Sequence, residues 1–436
     1  MSDELTPIRL FRDAGNWKAY MREYLVEVGM HGPASITEAV SACRKAAQQY
    51  SEAGVLTVKV AEGTRLTRDE LFEIVEAAGS AQCVDASNCV LEEIDLSREA
   101  VAPLAIAFKK TNNRSPLWFN ENLGTTDISW INLSGSLMQR ADLRGILALS
   151  SKLTQTSLTE AHLEGANLQF AKMEHVRLGN ADLTGAELSG AFLEGAQVTG
   201  ATFDEAKFDF TDLAGIDFYH ARSVKHARWY GSVLDRTRIR RGQLGSAIKE
   251  ESAAHKERSA EAYRQASEAY LLHKNNFLSI GRYDDASWAA VRERQMAKMQ
   301  LYWGWRRGRI FSKYESEYPL DWRNQRPITF LMGWLVAWVF EALTGFGERP
   351  LRPVAWASAL AFIVFPSLYW AAGALPGWAS MKDHIIFSLT TFGTLSFNGL
   401  QPDSKLGTIL SACEAFSAVM LFALFAFTLG NRMKSR

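Results

Sequence analysis

Apolar side chains recur along the chain in three rhythms, and each predicts a different architecture. Between Glu121 and Ala221 the period is five: NLGTT, DISWI and NLSGS lead through SLTEA, HLEGA and NLQFA to DLTGA, ELSGA and FLEGA. The central position falls at 123, 128, 133 and onward to 218, and 19 of these 20 positions carry Leu, Ile, Met, Val or Phe, with Ala148 the exception. Two residues before the centre stands a small residue, most regularly from Ala161 through Ala206. Five matches neither the 3.6-residue turn of a helix nor the alternation of a strand. It suits a chain that turns a corner after each short extended piece and returns above itself, with the large centre and the small alanine directed into a narrow axial core. Four faces per turn give about five coils, a rod roughly 20–25 Å long at the inter-strand spacing.

The second rhythm is helical. Residues 1–115 hold amphipathic runs such as WKAYMREYLVEV from Trp17 and RDELFEIVEAAG from Arg68, which predict a small α-rich or α+β domain. From Ser246 to Met299 the pattern predicts helices, with Tyr263, Ala266, Tyr270 and Phe277 at helical intervals and a turn at GRYDD. The residues around that turn, Gly281, Tyr283 and Ala286, resemble one tetratricopeptide helical pair. A single pair is too short for a peptide-binding solenoid, so an adaptor or oligomer contact is expected. WGWRRGRIFSK then interleaves Trp303 and Trp305 with Arg306, Arg307, Arg309 and Lys313. Such a mixture serves nucleic-acid binding or a headgroup interface, and the apolar segments that follow favour the headgroups.

The third rhythm is the near absence of charge. Residues 354–375 are 22 positions without a charge, and 406–429 are 24 positions with only Glu414. Each exceeds the roughly 20 residues that cross a bilayer as a helix. Residues 328–340 form a shorter apolar run of 13, followed by Glu341, and predict an interfacial helix. Pro366 predicts a kink in the first span. Arg349, Arg352, Arg432, Lys434 and Arg436 lie outside the two spans, whereas Lys382 and Lys405 between them are offset by Asp383 and Asp403. The positive-inside rule therefore predicts an inner-membrane protein with both termini and the rod in the cytoplasm.

Composition narrows the chemistry. Lys plus Arg and Asp plus Glu both number 48, so overall basicity offers nothing to nucleic acid, and no nucleic-acid partner is expected. Residues 121–220 alone carry 14 acidic and 6 basic side chains, a net of −8. Four cysteines without a CxxC pair and eight histidines without ligand spacing predict neither a disulfide framework nor a metal site. No nucleophile–base pair or phosphate-binding glycine loop appears, so neither an enzyme nor a cofactor is expected. MSDELTPIRL is charged and lacks the apolar core of a signal peptide.

Two resemblances join these pieces. The five-residue motif over about 100 residues resembles the pentapeptide-repeat family, which implies a right-handed quadrilateral β-helix. Some members of that family mimic duplex DNA with an acidic surface and bind gyrase, while a solvated scaffold or spacer is the other reading. Between the apolar spans, HIIFSLTTFGTLSFNGLQP reads as a short helix ending in Thr390 and Thr391, followed by an extended stretch rising to Pro402. Helix, re-entrant loop and inner helix together resemble the two-transmembrane pore module of the potassium-channel superfamily. FGERPLRPVAW and EAFSAVMLFALFAFTLGNRM are similar to the bacterial members that join this pore to pentapeptide repeats. The resemblance places Thr394, Leu395, Ser396, Phe397, Asn398 and Gly399 at the selectivity filter.

This filter departs from the family's T-V-G-Y-G. Ser396 and Asn398 stand where glycines adopt positive φ and aim carbonyls at the axis. The expectation is a pore weakly selective or non-selective among K⁺ and Na⁺, with a degenerate, non-conducting pore as the competing reading. Glu414, about two turns into the inner helix, either braces the pore through a buried hydrogen bond or attracts ions directly. Phe422, Phe425 and Leu429 share a helical face at i, i+3 and i+7 and form either a dewetting gate or a lipid-facing or packed stripe. The whole predicts a multidomain chain: an α-rich domain at 1–115, the β-helix at 116–235, a helical adaptor at 246–325, an interfacial helix at 326–350 and an all-α two-span pore domain at 351–436. Four copies are needed to close one filter, so the expected protein is a homotetrameric cation channel in a lipid bilayer. A membrane-tethered repeat scaffold or DNA mimic with a closed pore is the alternative.

Overall fold

The computed structural model describes residues 8–13, 16–21, 26–28, 57–307, 327–375, 379–393, 402 and 404–434. The chain divides into two compact units, Met1–Glu257 with Asn275–Ile280, and Arg258–Lys274 with Gly281–Arg436.

The first unit opens with a five-stranded sheet. Strands β1 (Ile8–Asp13), β2 (Asn16–Met21), β3 (Val26–Val28), β4 (Val58–Val60) and β5 (Val84–Asp85) lie in the order β3-β2-β1-β4-β5. β1 and β2 are antiparallel with Asp13 facing Asn16, whereas β1–β4 and β4–β5 are parallel. The run from Trp17, expected to be helical, instead supplies strands β2 and β3, which pair with each other while β2 takes β1 along its other edge. The run from Arg68 does form a helix, α1 (Arg68–Ala78). It is opened by a capping box between Thr67 and Glu70 and closed by Gly79 at φ 83°.

β4 and β5 are also rungs of the rod. Asp85, Val90 and Asp95 bridge to Asn132, Leu137 and Asp142, and on the pass before them Lys59 and Arg65 pair with Asp85 and Val90, so the coils begin well before the expected boundary at 116. Cys89, Leu91, Ile94 and Leu96 fill the axial positions and are buried. The pentads here escape a period search because an excursion follows them. Helix α2 (Arg98–Asn112) and the hairpin β6 (Phe119–Asn120) and β7 (Thr125–Thr126) widen the rung spacing to 47 residues.

From Asp127↔Leu147 to Phe192↔Asp212 the bridges repeat every 20 residues, four pentads per coil. A 3₁₀ turn at Phe218–His220 then adds one residue, and the last bridges, Thr202↔Ser223 to Asp217↔Arg238, are spaced by 21. The run ARSVKHARWYGSVLD is therefore a further coil whose Val224, Trp229 and Leu234 take the buried central position. The axial core changes along its length. Alanines and leucines dominate up to Ala201, and then Phe203, Phe208, Phe218 and Trp229 cluster with ring centroids 4.9 to 6.0 Å apart.

Helices α3 (Arg241–Leu244) and α4 (Lys249–Glu257) close the end. An open coil presents unpaired backbone groups, and polar side chains here satisfy them. Gln243 Nε2 donates to Phe218 O and, at 3.2 Å, to Ala221 O. The Trp229 N–H donates to Glu250 Oε1. Asn276 Nδ2 donates to Leu234 O and Thr237 O, both at 2.8 Å.

The second unit is helical. It holds most of α5 (Ala260–Ser279), then α6 (Tyr283–Arg307), α7 (Pro327–Thr344), α8 (Leu351–Ala371), α9 (Met381–Phe392) and α10 (Lys405–Lys434). Tyr263, Ala266 and Tyr270 are buried, and the Tyr270 and Trp288 rings meet edge to face 5.5 Å apart, joining α5 to α6.

Candidate functional site

The site is assembled from α7 to α10, and its geometry starts with Pro366. Proline donates no hydrogen bond and its ring crowds the carbonyl four residues earlier. In α8 this is absorbed as a π-turn over Leu360–Val364, one widened turn inside an otherwise continuous helix. The widened turn presents Ala361 O to the neighbouring helix, where the Ser388 hydroxyl lies 2.8 Å from it.

Glu414 lies at the centre of this packing. It is fully buried although it belongs to the apolar helix α10. Tyr369 of α8 donates its hydroxyl to Glu414 Oε2 at 2.6 Å, and Ser388 of α9 meets Oε1. One carboxyl thus ties three helices together, and the short helix α9 is held between the two long ones. Apolar packing surrounds the network: Phe365, Tyr369, Ala374, Leu375 and Phe387 on one side, Ala361, Phe392, Ala418 and Leu421 on the other. Both carboxylate oxygens of Glu414 are thus engaged by side chains of neighbouring helices.

α9 begins at a capping box formed by Ser380 and Asp383 and ends at Phe392. Thr390 and Thr391 occupy its last turn, with Thr390 Oγ1 donating to Phe387 O at 2.9 Å. The helix C-terminus carries partial negative charge that favours a cation beyond it. Thr394, Leu395, Ser396, Phe397, Asn398 and Gly399 lie outside the described residues. Phe422 is 63% exposed, with its ring 6.5 Å from Phe392 at the end of α9. Phe425 is half-buried and Leu429 exposed on the same helix.

The partners of Glu414 were not among the residues singled out from sequence. Tyr369 and Ser388 are polar side chains within apolar helices, which is the trace a sequence reader could have followed. Nothing in their spacing from Glu414, 45 and 26 residues, indicates contact.

α7 is more than an apolar helix beside the site. The Phe330 ring seats against Gly304, and Leu301 against Gly333, so α7 runs along α6. Glu341, at the end of α7, accepts from Gln295 Nε2 at 3.0 Å and from Lys298. Burial works against its charge, but these hydrogen bonds and the nearby cations hold the carboxyl below its usual range. Arg352 Nη1 donates to Glu341 O at 2.6 Å and Trp356 Nε1 to Ala342 O at 3.0 Å, so the start of α8 satisfies the last carbonyls of α7.

Leu351–Ala371 and Lys405–Gly430 are each long and apolar enough to cross a membrane, and only 22% and 17% of their apolar windows are buried. A core helix of a water-soluble domain would bury most of such a window. Among the described residues no group of three or more His, Cys, Asp and Glu is placed to hold a metal ion.

The family model for pentapeptide repeats matches residues 150–180 and 181–219, as eight copies. The rod is a pentapeptide-repeat β-helix. The chain is similar to a pentapeptide repeat protein of the Arabidopsis thaliana thylakoid lumen at 26% identity, covering 27% of this chain and 64% of that one, with a TM-score of 0.20. It is also similar to the repeat protein Rfr23 of the cyanobacterium Cyanothece 51142 at 16% identity, covering 36% and 88%, with a TM-score of 0.22. A third similar structure is QnrB1, a plasmid-mediated fluoroquinolone resistance protein, at 15% identity, covering 43% and 92%, also at 0.22. No curated protein matches the chain.

Proposed function

We propose that four copies of this chain form a monovalent-cation channel in the cytoplasmic membrane, with the pentapeptide-repeat rod on the cytoplasmic side. The observation that carries this reading is the Glu414 network. A short helix pinned between two long, largely uncovered apolar helices by Tyr369, Ser388 and Glu414 is the arrangement a re-entrant pore helix requires. Its C-terminal end leads directly into Thr394–Gly399, the six residues that would line the constriction. One subunit supplies one quarter of a ring, and cyclic symmetry closes it. Ser396 and Asn398 in place of glycines support a pore that passes Na⁺ as well as K⁺. Phe422, Phe425 and Leu429 would form the gate further along α10, and α7, clamped to α6 and to the start of α8, would transmit movement of the cytoplasmic parts.

Reconstitution in planar bilayers with opposed KCl and NaCl gradients tests the reading. Expected are cation currents with a reversal potential near zero, together with a tetrameric mass in detergent. A stable monomer, or the absence of any current from the tetramer, removes the channel and leaves a membrane-tethered repeat scaffold.

A further inference from the structure

The exposed large apolar side chains of the rod gather along one of its four corners. On successive coils the corner residue is Trp130, Ser150, Phe170, Gly190, Phe210 and Gly231. Trp130, Phe170 and Phe210 are 56%, 58% and 65% exposed, and the adjoining column of the next face adds Phe192 and Val233. Across the described residues 125–240, Tyr219 is the sole other large apolar side chain so exposed.

The three aromatic corner residues also have left-handed backbone, at φ 68°, 57° and 55°. That conformation is unfavourable for a bulky residue, and glycine or asparagine adopts it more readily. An exposed ring returns little burial to offset this. The rings lean along the rod. A Cβ on Gly190 would lie 2.6 Å from Phe170 Cδ1, and one on Gly231 2.5 Å from Phe210 Cδ1, so each ring covers the glycine of the following coil.

We infer that this corner docks a second copy of the rod, antiparallel, about a two-fold axis passing between the coils of Phe170 and Gly190. The pairing rests on the rod and goes beyond the pore reading. In this register the two Phe170 rings meet at the axis, and Phe210 lies against Trp130 of the second copy at each end. The column beside the corner, Asn132, Lys152, Lys172, Phe192, Asp212 and Val233, forms one bridged ladder. The same axis sets Lys152 opposite Asp212 of the second copy, and Lys172 opposite its Phe192, giving two ion pairs and two cation–π contacts by symmetry. A parallel pairing instead sets Asp212 level with Asp209 across the seam, like against like. A contact one corner wide falls at the small end of protein interfaces, below about 1,200 Å² in total, so the pairing is weak unless another part of the chain concentrates it.

The test uses the full chain in detergent with Cys43 and Cys413 replaced by Ser, leaving the buried Cys83 and Cys89. Lys152→Cys and Asp212→Cys are introduced together. Within one chain these positions stand three coils apart, roughly 14 Å, beyond the ~7 Å reach of a disulfide. Mild oxidation is expected to give a covalent dimer from the double variant and none from either single variant. Adding Phe170→Asn and Phe210→Asn should abolish the dimer band while leaving the far-ultraviolet circular dichroism unchanged, since asparagine accepts left-handed geometry. A double variant that stays monomeric on denaturing gels overturns the inference. So does a dimer formed by Lys152→Cys alone, or one that survives the asparagine pair. If the rod instead partitions onto anionic vesicles through these aromatics without cross-linking, the corner is a lipid-binding surface and the antiparallel dimer is wrong. Conduction is not read in this experiment, so its failure and that of the channel are separable.

Discussion

Replacing Glu250 by Gln probes a carboxyl that closes the end of the rod. Glu250 is 3% exposed; its Oε1 accepts the Trp229 N–H, and Oε2 has no hydrogen-bond partner among the described residues. Burial, reinforced by the charge of Asp209, pushes its pKa from 4.5 up to about 7, against the pull of the Trp229 N–H and of Arg228. The folded cap therefore holds this proton more tightly than the unfolded chain. Between pH 4.5 and 7 the unfolded state binds fewer protons, so stability is greatest below this window and falls as pH rises through it. The full loss is about 3 kcal/mol, at 1.36 kcal/mol per unit. Gln retains an acceptor for Trp229 and has no proton to lose. At pH 8 the variant's cap should be more stable by up to about 3 kcal/mol, while near pH 4.5 the two proteins should be nearly equal. Hydrogen exchange at the Trp229 amide and along 249–257, corrected for intrinsic rates, reads the local opening energy from pH 5 to 8. Parallel pH profiles, or weaker protection of the variant at pH 8, would falsify the argument that burial controls this group.

Other expectations follow from the same kind of accounting. Tyr369→Phe leaves Glu414 Oε2 without its 2.6 Å donor and should cost about 1–3 kcal/mol, read as a lower melting temperature in detergent; an unchanged melt refutes the bracing role. Asn276→Ala strands the Leu234 and Thr237 carbonyls and should cost about 1–3 kcal/mol, seen as faster exchange in the last coil but not at Leu163 or Leu168. Gly407→Val should destabilise the start of α10 by about 1–3 kcal/mol, because even a Cβ would lie 2.8 Å from Pro402 Cβ and 3.0 Å from Ala374 Cβ; an unaltered melt argues against this close approach. The Glu341 contribution to α6–α7 packing is present above the usual carboxylate range and should fade as pH falls. Exchange of α7 amides in Lys298→Met should lose most of that acid sensitivity.

The local sequence determined the elements that depend only on nearest neighbours. A centre every five residues is sufficient to coil the chain, because each pentad supplies its own corner and its own share of the axial core, and each coil contacts only the next. The same holds for α1, with its capping box, and for the two long apolar helices, whose composition alone makes them long enough to cross a bilayer. What tertiary structure decided is everything that joins distant segments. Val84–Leu96 joined the later coils by bridging to residues 47 positions further on, across an excursion that hides the period. The Trp17 run became strands β2 and β3 by pairing with itself and with β1. Glu414 was legible as a carboxyl in an apolar helix, but its partners were not. Tyr369 and Ser388 reach it only after Pro366 reshapes one helix and a capped short helix is wedged beside it. Local periodicity carries no record of such contacts, because the free energy that selects them arises from removing polar groups from water together, in the folded chain alone.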